Sequence, residues 1–195
     1  MSIQPLRTKL REATGLAILD AAEQVAAEAG LPSASLQAIA ERAGVAVGTI
    51  YNYFPDRQQL FAALFKRRRE ELAAAIDETA KKHAKEPFAA QLEAYVSSVF
   101  THFDVRRSFL RIAVDSQPDA HGNTRPAMQQ LQERAERIVR VGVREKRLRD
   151  VDVELLATVL VSIVRAVLLV RAHRDEPFAP ETARVLSLFL DGAKK

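Results

Sequence analysis

A chain of 195 residues, 48% of them hydrophobic, is long enough for one domain or two small ones around a real core. Its 29 basic residues against 25 acidic ones leave a formal charge of +4, which admits a polyanionic partner but is no nucleoid-type excess. The absence of cysteine excludes disulfides and thiol chemistry and suits a reducing cytoplasm.

The N-terminus, MSIQPLRTKLREATG, lacks the apolar core of a secretory signal. A first helix is predicted from near Thr8 to Gly30, with Ile18, Ala22, Val25 and Ala29 along one face. Arg7, Lys9 and Arg11 admit two readings: cations that reach phosphates or the adjacent minor groove, or a frayed, solvated arm. Ser35 has the character of an N-cap for a second helix. From Leu36 to Tyr53 the run LQAIAERAGVAVGTIYNY reads as a helix-turn-helix. Ile39, Ala43, Val45 and Ile50 turn inward on two short helices, and Ala40 is small enough to let them cross closely. Gly44 supplies the left-handed residue that ends the first of the two.

A fourth helix is predicted from Asp56, directly after Pro55, with Asp56 and Gln59 at capping-box spacing. No Gly or Pro interrupts it before Pro87, so it can run to about Lys82, roughly 40 Å at about 1.5 Å per residue. Within it, the basic run Lys66 to Arg69 is expected to form a solvated face rather than a nucleic-acid contact. Pro87 opens a helix to about Phe103, and a shorter one follows from Arg106 to about Asp115. SQPDAHGN (Ser116 to Asn123) reads as a mobile loop. Further helices are predicted from Pro126 to about Lys146, Asp152 to about His173 and Pro180 to near Asp191. With no strand pattern and no repeat, the fold class is all-α: a three-helix head, a long fourth helix and a larger helical body, about nine helices in all. The expected division is residues 1–55 and 56–195.

Leu155 to Val170 is strongly apolar but shorter than the roughly 20 residues a membrane span needs, and Arg165 interrupts it, so a buried helix explains it better. Being apolar on more than one face, LLATVLVSIVRAVLLV does not suit the edge of a monomer. Leu156, Leu160, Ile163 and Val167, with Val185, Leu186 and Phe189 of the last helix, are therefore candidates for a homodimer interface. Arg165 is expected to pair with a carboxylate or a carbonyl. In the middle of the body, Tyr95, Phe100, Phe103, Phe109, Ile112 and Met128 can line an apolar pocket, with His102, Arg111 and Gln129 as polar contacts. Plain core packing is the better explanation for any single one of them. The four histidines are too scattered for a metal site, and no cofactor is called for. No nucleophile motif, metal-ligand spacing or phosphate-binding glycine loop argues for an enzyme.

Three segments in order, ILDAAEQVAAEAG (Ile18 to Gly30), SLQAIAERAGVAVGTIYNYF (Ser35 to Phe54) and PDRQQLFAAL (Pro55 to Leu64), closely resemble the DNA-binding domain of the tetracycline-repressor (TetR) family of bacterial transcription regulators. The resemblance covers about the first third of the chain. It implies that the third helix, Val47 to Phe54, enters the major groove, and it assigns a DNA-facing set of Ser35, Gln37, Ala46, Val47, Gly48, Thr49, Tyr51, Asn52, Tyr53 and Arg57. Asn52 and Gln37 can each pair with adenine through two hydrogen bonds, while the tyrosine hydroxyls suit phosphate oxygens. Arg57 stands where the family usually has lysine, in a first helical turn whose backbone N–H groups also favour phosphate.

Two departures matter. Ala46 replaces the usual Ser or Thr cap, a loss of about 0.5–2 kcal/mol, and Val47 replaces a common cation. The reading helix then has no arginine for guanine, and its contacts are expected to be richer in A·T than G·C. The resemblance further implies a homodimer on a palindromic operator, paired through the last two helices, and small effectors held by the middle ones. The favoured expectation is a repressor released by a small molecule. A regulator or activator without an effector, its body docking a protein, is the alternative.

Overall fold

A computed structural model describes residues 4–116, 124–149 and 152–193, with side chains described for 7–116, 129–149 and 152–192. Residues 117–123 of the expected loop and the side chain of Met128 lie outside these. Among the described residues there are nine helices and no strand, so the chain is all-α. They are α1 (Gln4–Ala29), α2 (Leu36–Ala43), α3 (Val47–Tyr51), α4 (Arg57–Lys82), α5 (Phe88–Val105), α6 (Arg107–Asp115), α7 (Thr124–Arg144), α8 (Val153–Arg171) and α9 (Ala179–Ala193). The chain divides into two compact units: Met1–Arg68 with Arg111–Asn123, and Arg69–Leu110 with Thr124–Lys195.

In the first unit α1 packs on α2 and α2 on α3. Ile18, Ala22, Val25, Ile39, Ile50, Leu60, Phe61 and Leu64 close its core, joined by Ile112 of α6. Ala29, expected on the inner face of α1, is exposed at the helix end. Ser35 Oγ accepts the Ala38 N–H at 3.1 Å, which caps α2. Gly44 (φ 69°) ends α2 in a Schellman motif, the Val45 N–H donating to Ala40 O and the Gly44 N–H to Glu41 O. Asp56 caps α4 through the Gln59 N–H at 2.7 Å, and the Gln59 amide returns to the Asp56 carboxylate at 3.4 Å.

The basic run on α4 departs from the solvated face expected of it. Arg68 is 2% exposed, its Nε donating to Glu23 Oε2 at 2.6 Å and its Nη2 to Asp20 Oδ1 at 2.8 Å. Arg67 adds a second bond to Asp20 at 3.0 Å. Asp20 and Glu23, one turn apart on α1, thus anchor the first half of α4 electrostatically as well as by packing.

In the second unit α7 packs on α8, α5 on α7 and α9, and α8 on α9. Pro87 leaves α5 without a side-chain cap of its own, and Glu145 Oε2 accepts the Phe88 N–H instead, at 3.1 Å. The Phe88 ring lies against Gly142 of α7, where an added Cβ would come within 2.7 Å of Cε2 and 2.8 Å of Cδ2. Gly142→Ala is therefore expected to lower stability by about 1–3 kcal/mol through overpacking, despite alanine's better helix propensity. Urea unfolding measures it. Helix α7 stops before the expected Lys146, which takes the left-handed conformation (φ 57°) and closes the helix as Gly44 closes α2.

Arg107 binds the start of α6 to the α8–α9 connection. Its guanidinium donates to Arg174 O, Glu176 O and Asp104 Oδ1, and sits 4.0 Å over the Phe178 ring. Asp104 in turn accepts the Phe178 N–H at 3.1 Å. The Arg134 guanidinium of α7 grips Asp77 of α4 with bonds of 2.9 and 2.6 Å and holds its carboxyl below the ordinary aspartate value. A lowered folded-state pKa stabilises fully above the unfolded value near pH 4 and fades as pH falls through the folded one. The stability difference between the chain and Asp77→Asn should thus be present at pH 7 and shrink below about pH 4 in a pH series of melts. Asp77 is 39% exposed, so solvent screening keeps this difference small.

Candidate nucleic-acid interface

Helix α3 is shorter than expected, ending at Tyr51 rather than Phe54. Pro55 explains this, because the residue before proline is pushed out of the α region. The Tyr53 and Phe54 N–H groups both fold back onto Ile50 O, tightening the last turn. Ala46 makes no side-chain cap bond, the loss its sequence implies. What holds so short a helix is Ile50, fully buried, with Val47, Tyr53 and Phe54 partly buried against the same core.

The outer surface of α2 and α3 presents Ser35, Gln37, Ala46, Gly48, Tyr51 and Asn52, all exposed, with Tyr51 at 53%. Val47, Thr49 and Tyr53 are half-buried. Ser35 is committed to its cap and the Gln37 amide donates to Glu41 at 2.8 Å. Asn52 stands at the end of α3 with its side chain exposed. A Cβ at Gly48 would meet nothing within 4 Å, so nothing inside the chain requires glycine there. In a helix that glycine costs about 1 kcal/mol against alanine, and a bare α-carbon suits the close approach of another molecule's backbone.

Arg57 is placed differently from its expected phosphate role. Its Nε donates to Ala34 O at 2.9 Å, its Nη2 to Leu31 O and to Pro32 O, and its guanidinium carbon lies 5.0 Å from the Phe61 ring centre. It braces the α1–α2 turn against α4, with its Nε and Nη2 donors engaged there.

The residues expected around an effector fall into different places. Tyr95 is buried and donates to Leu131 O at 3.1 Å; burial pushes its hydroxyl well above the ordinary tyrosine range, so it stays a neutral donor. Phe100 stacks on Phe178 at 5.5 Å, and Phe109 is buried. Phe103 meets His102 edge-on, and Gln129 is exposed beside Glu133. Ile112 belongs to the core of the first unit, and Arg111 is assigned to that unit as well. The second unit carries an open groove of about 750 Å³ between α4 and α5, walled by Glu71, Thr79, His83, Glu93, Ser97 and His102 among others. Of the expected set, His102 lies on this wall. Its lining mixes these polar side chains with Ala75, Ala90, Ala94 and Val105, where a pocket of aromatic residues was expected.

Four of the seven residues expected at a homodimer interface are enclosed by their own chain. Leu156, Leu160, Val185 and Phe189 are buried within their own chain, and Ile163, Val167 and Leu186 are half-buried. The outward stripe of α8 is instead Leu155, Val159, Ser162, Ala166 and Leu169, at alternating spacings of four and three, with Leu155 at 57% and Val159 at 42% exposure. Leu188 of α9 is 67% exposed. Arg165 is exposed rather than packed against a partner in the interior. Helix α8 is also the one described helix long and apolar enough to cross a membrane, yet one of its faces is buried against α7 and α9.

Residues 18–64 match the family model of bacterial regulatory proteins of the tetR family. The fatty acid metabolism regulator protein of Bacillus subtilis (strain 168) is 32% identical over 105 residues, 49% of this chain and 54% of that protein. The HTH-type transcriptional repressor KstR of Mycolicibacterium smegmatis is 41% identical over 63 residues, 32% of this chain and 31% of that one. The chain thus spans about half the length of the first relative and a third of the second. Among solved structures, FadR of Bacillus subtilis in complex with stearoyl-CoA superposes with a TM-score of 0.78 at 20% identity, covering 91% of this chain and 98% of that one. FadR from Bacillus halodurans gives 0.80 at 21% identity, covering 92% and 95%. These structural likenesses show the fold. By its helix-turn-helix and the segments that flank it, the stretch 18–64 is a DNA-binding domain of the tetR family of bacterial regulatory proteins.

Proposed function

We propose that the protein is a cytoplasmic transcriptional repressor that grips a palindromic operator as a homodimer and releases it when a small molecule occupies the second unit. The observation that carries this reading is the outer face of α3, where Tyr51 and Asn52 stand exposed beside the bare Gly48 while Ile50 anchors the opposite side in the core. A helix in the major groove specifies through base edges, and Asn52 suits adenine N6 and N7. Pairing is supported by the exposed heptad-like stripe of α8, in which Ser162 and Ala166 are small enough for two helices to approach closely. Two heads on one duplex then meet half-sites roughly 34–36 Å apart. The groove supports a ligand, and a repressor released by it works by linkage: a compound that favours one conformation shifts DNA affinity. Because one structural neighbour was solved with stearoyl-CoA, long-chain acyl-CoA thioesters are the first compounds to titrate.

Asn52→Ala is expected to weaken binding to an operator fragment from a neighbouring promoter by about 1–3 kcal/mol, roughly 5- to 150-fold, and to spare binding to unrelated duplex. Fluorescence anisotropy on both fragments checks it. Equal affinity of variant and parent for the operator would remove Asn52 from the reading surface.

A further inference from the structure

The first four turns of α1 extend the DNA-facing surface. Residues 7, 11, 15, 18 and 22 lie on one stripe of this helix. At its inner end Ile18 and Ala22 are fully buried in the head's core. Further out, Gly15 stands against Tyr53, where an added Cβ would come within 3.3 Å of Cδ1. The Arg11 guanidinium carbon lies 5.6 Å from the Tyr53 ring centre. Arg7 follows on the same stripe, one turn or roughly 6 Å beyond, and is exposed. The stripe therefore leaves the core, passes the residue that closes α3 with Arg11 over its ring, and continues to Arg7 one turn further out.

We infer that Arg7 and Arg11 form a phosphate clamp on the groove edge next to α3, with Tyr53 positioning Arg11. The inference rests on the DNA-binding reading above. A helix seated in a major groove about 12 Å wide has phosphates along both of its edges. A guanidinium over an aromatic face keeps its planar fork of N–H donors, which matches a phosphate in two hydrogen bonds. Lys9 provides an internal control: it removes the same charge when replaced, but its position is 200° around the helix from Arg7 at 100° per residue.

The probe is a mixed-sequence duplex of about 30 base pairs, because phosphate contacts carry no sequence information. The full chain is titrated at several salt concentrations and log K is plotted against log salt. Each phosphate contact contributes about 0.9 to the slope, so Arg7→Ala with Arg11→Ala should flatten it by close to 2 per head. Between 50 and 200 mM salt that makes the double variant's loss of affinity about 12-fold smaller than the parent's, per head. Lys9→Ala should keep the parent slope. Arg7→Ala alone, at an exposed position distant from Tyr53, should flatten it by about half as much and keeps the result independent of any disturbance at Arg11. A double variant with the parent slope overturns the clamp, as does a Lys9→Ala slope flattened equally, which reports bulk charge alone. Parent binding with unchanged slopes refutes only the clamp; a parent that binds no duplex at low salt refutes the DNA-binding reading and the clamp with it.

Discussion

Arg68→Ala is expected to destabilise the protein by about 3–5 kcal/mol, the cost of leaving a buried charge unpaired. Glu23 is the reason. Its side chain is 9% exposed, and its carboxylate takes the Arg68 Nε–H at 2.6 Å. Asp20 suffers less, since it is 48% exposed and keeps Arg67 at 3.0 Å. A domain typically has only about 5–15 kcal/mol of stability, so the variant should lose a large part of it. Urea unfolding followed by circular dichroism measures the loss. Arg68→Met combined with Glu23→Leu removes both charges and should recover most of it, because a well-packed apolar pair often equals a buried ion pair. A loss under about 1 kcal/mol for Arg68→Ala, within the range of an exposed pair, contradicts the burial described here.

Val159→Asp should convert the proposed homodimer into a monomer and leave each chain folded. The side chain is 42% exposed and lies mid-stripe on α8, so a carboxylate there meets water in the isolated chain. In a two-fold interface the same residue occurs twice, and two carboxylates would be desolvated together. A penalty of about 4 kcal/mol raises the dissociation constant about a thousandfold. Light scattering at micromolar concentration should report the monomer mass with an unchanged melting temperature of the monomeric fold. Operator affinity should fall to that of a single head. A variant that stays dimeric moves the interface off this stripe.

The head was legible because its signals are local. Ser35, Gly44 and Asp56 act on backbone groups within three to five residues of themselves, and Ile39 and Ile50 are core by spacing alone. The length of α3 was misjudged although its cause, Pro55, is visible in the chain. Arg57 and Arg68 depend on carbonyls and carboxylates brought to them by other helices, which no local rule supplies. Asp20 and Glu23, acidic residues flanking the buried Ala21 and Ala22, were the available hint for Arg68. In the body, α8 is apolar around much of its circumference, so periodicity does not say which side meets its own chain. Leu156 and Leu160 lie inward and Leu155 and Val159 face out, a difference of one residue and 100°. The aromatic set failed as a single pocket because composition marks greasy residues without distinguishing the cores they join, as Ile112 and Phe100 show.

The Arg107 clamp bears on how two copies would come together. With the backbone between α8 and α9 tied to a guanidinium that also rests on Phe178, the angle between those helices is fixed by the chain's own side chains. The exposed stripe is thus a finished template before encounter. Association then resembles the docking of rigid bodies, in which little chain freedom is left to be lost.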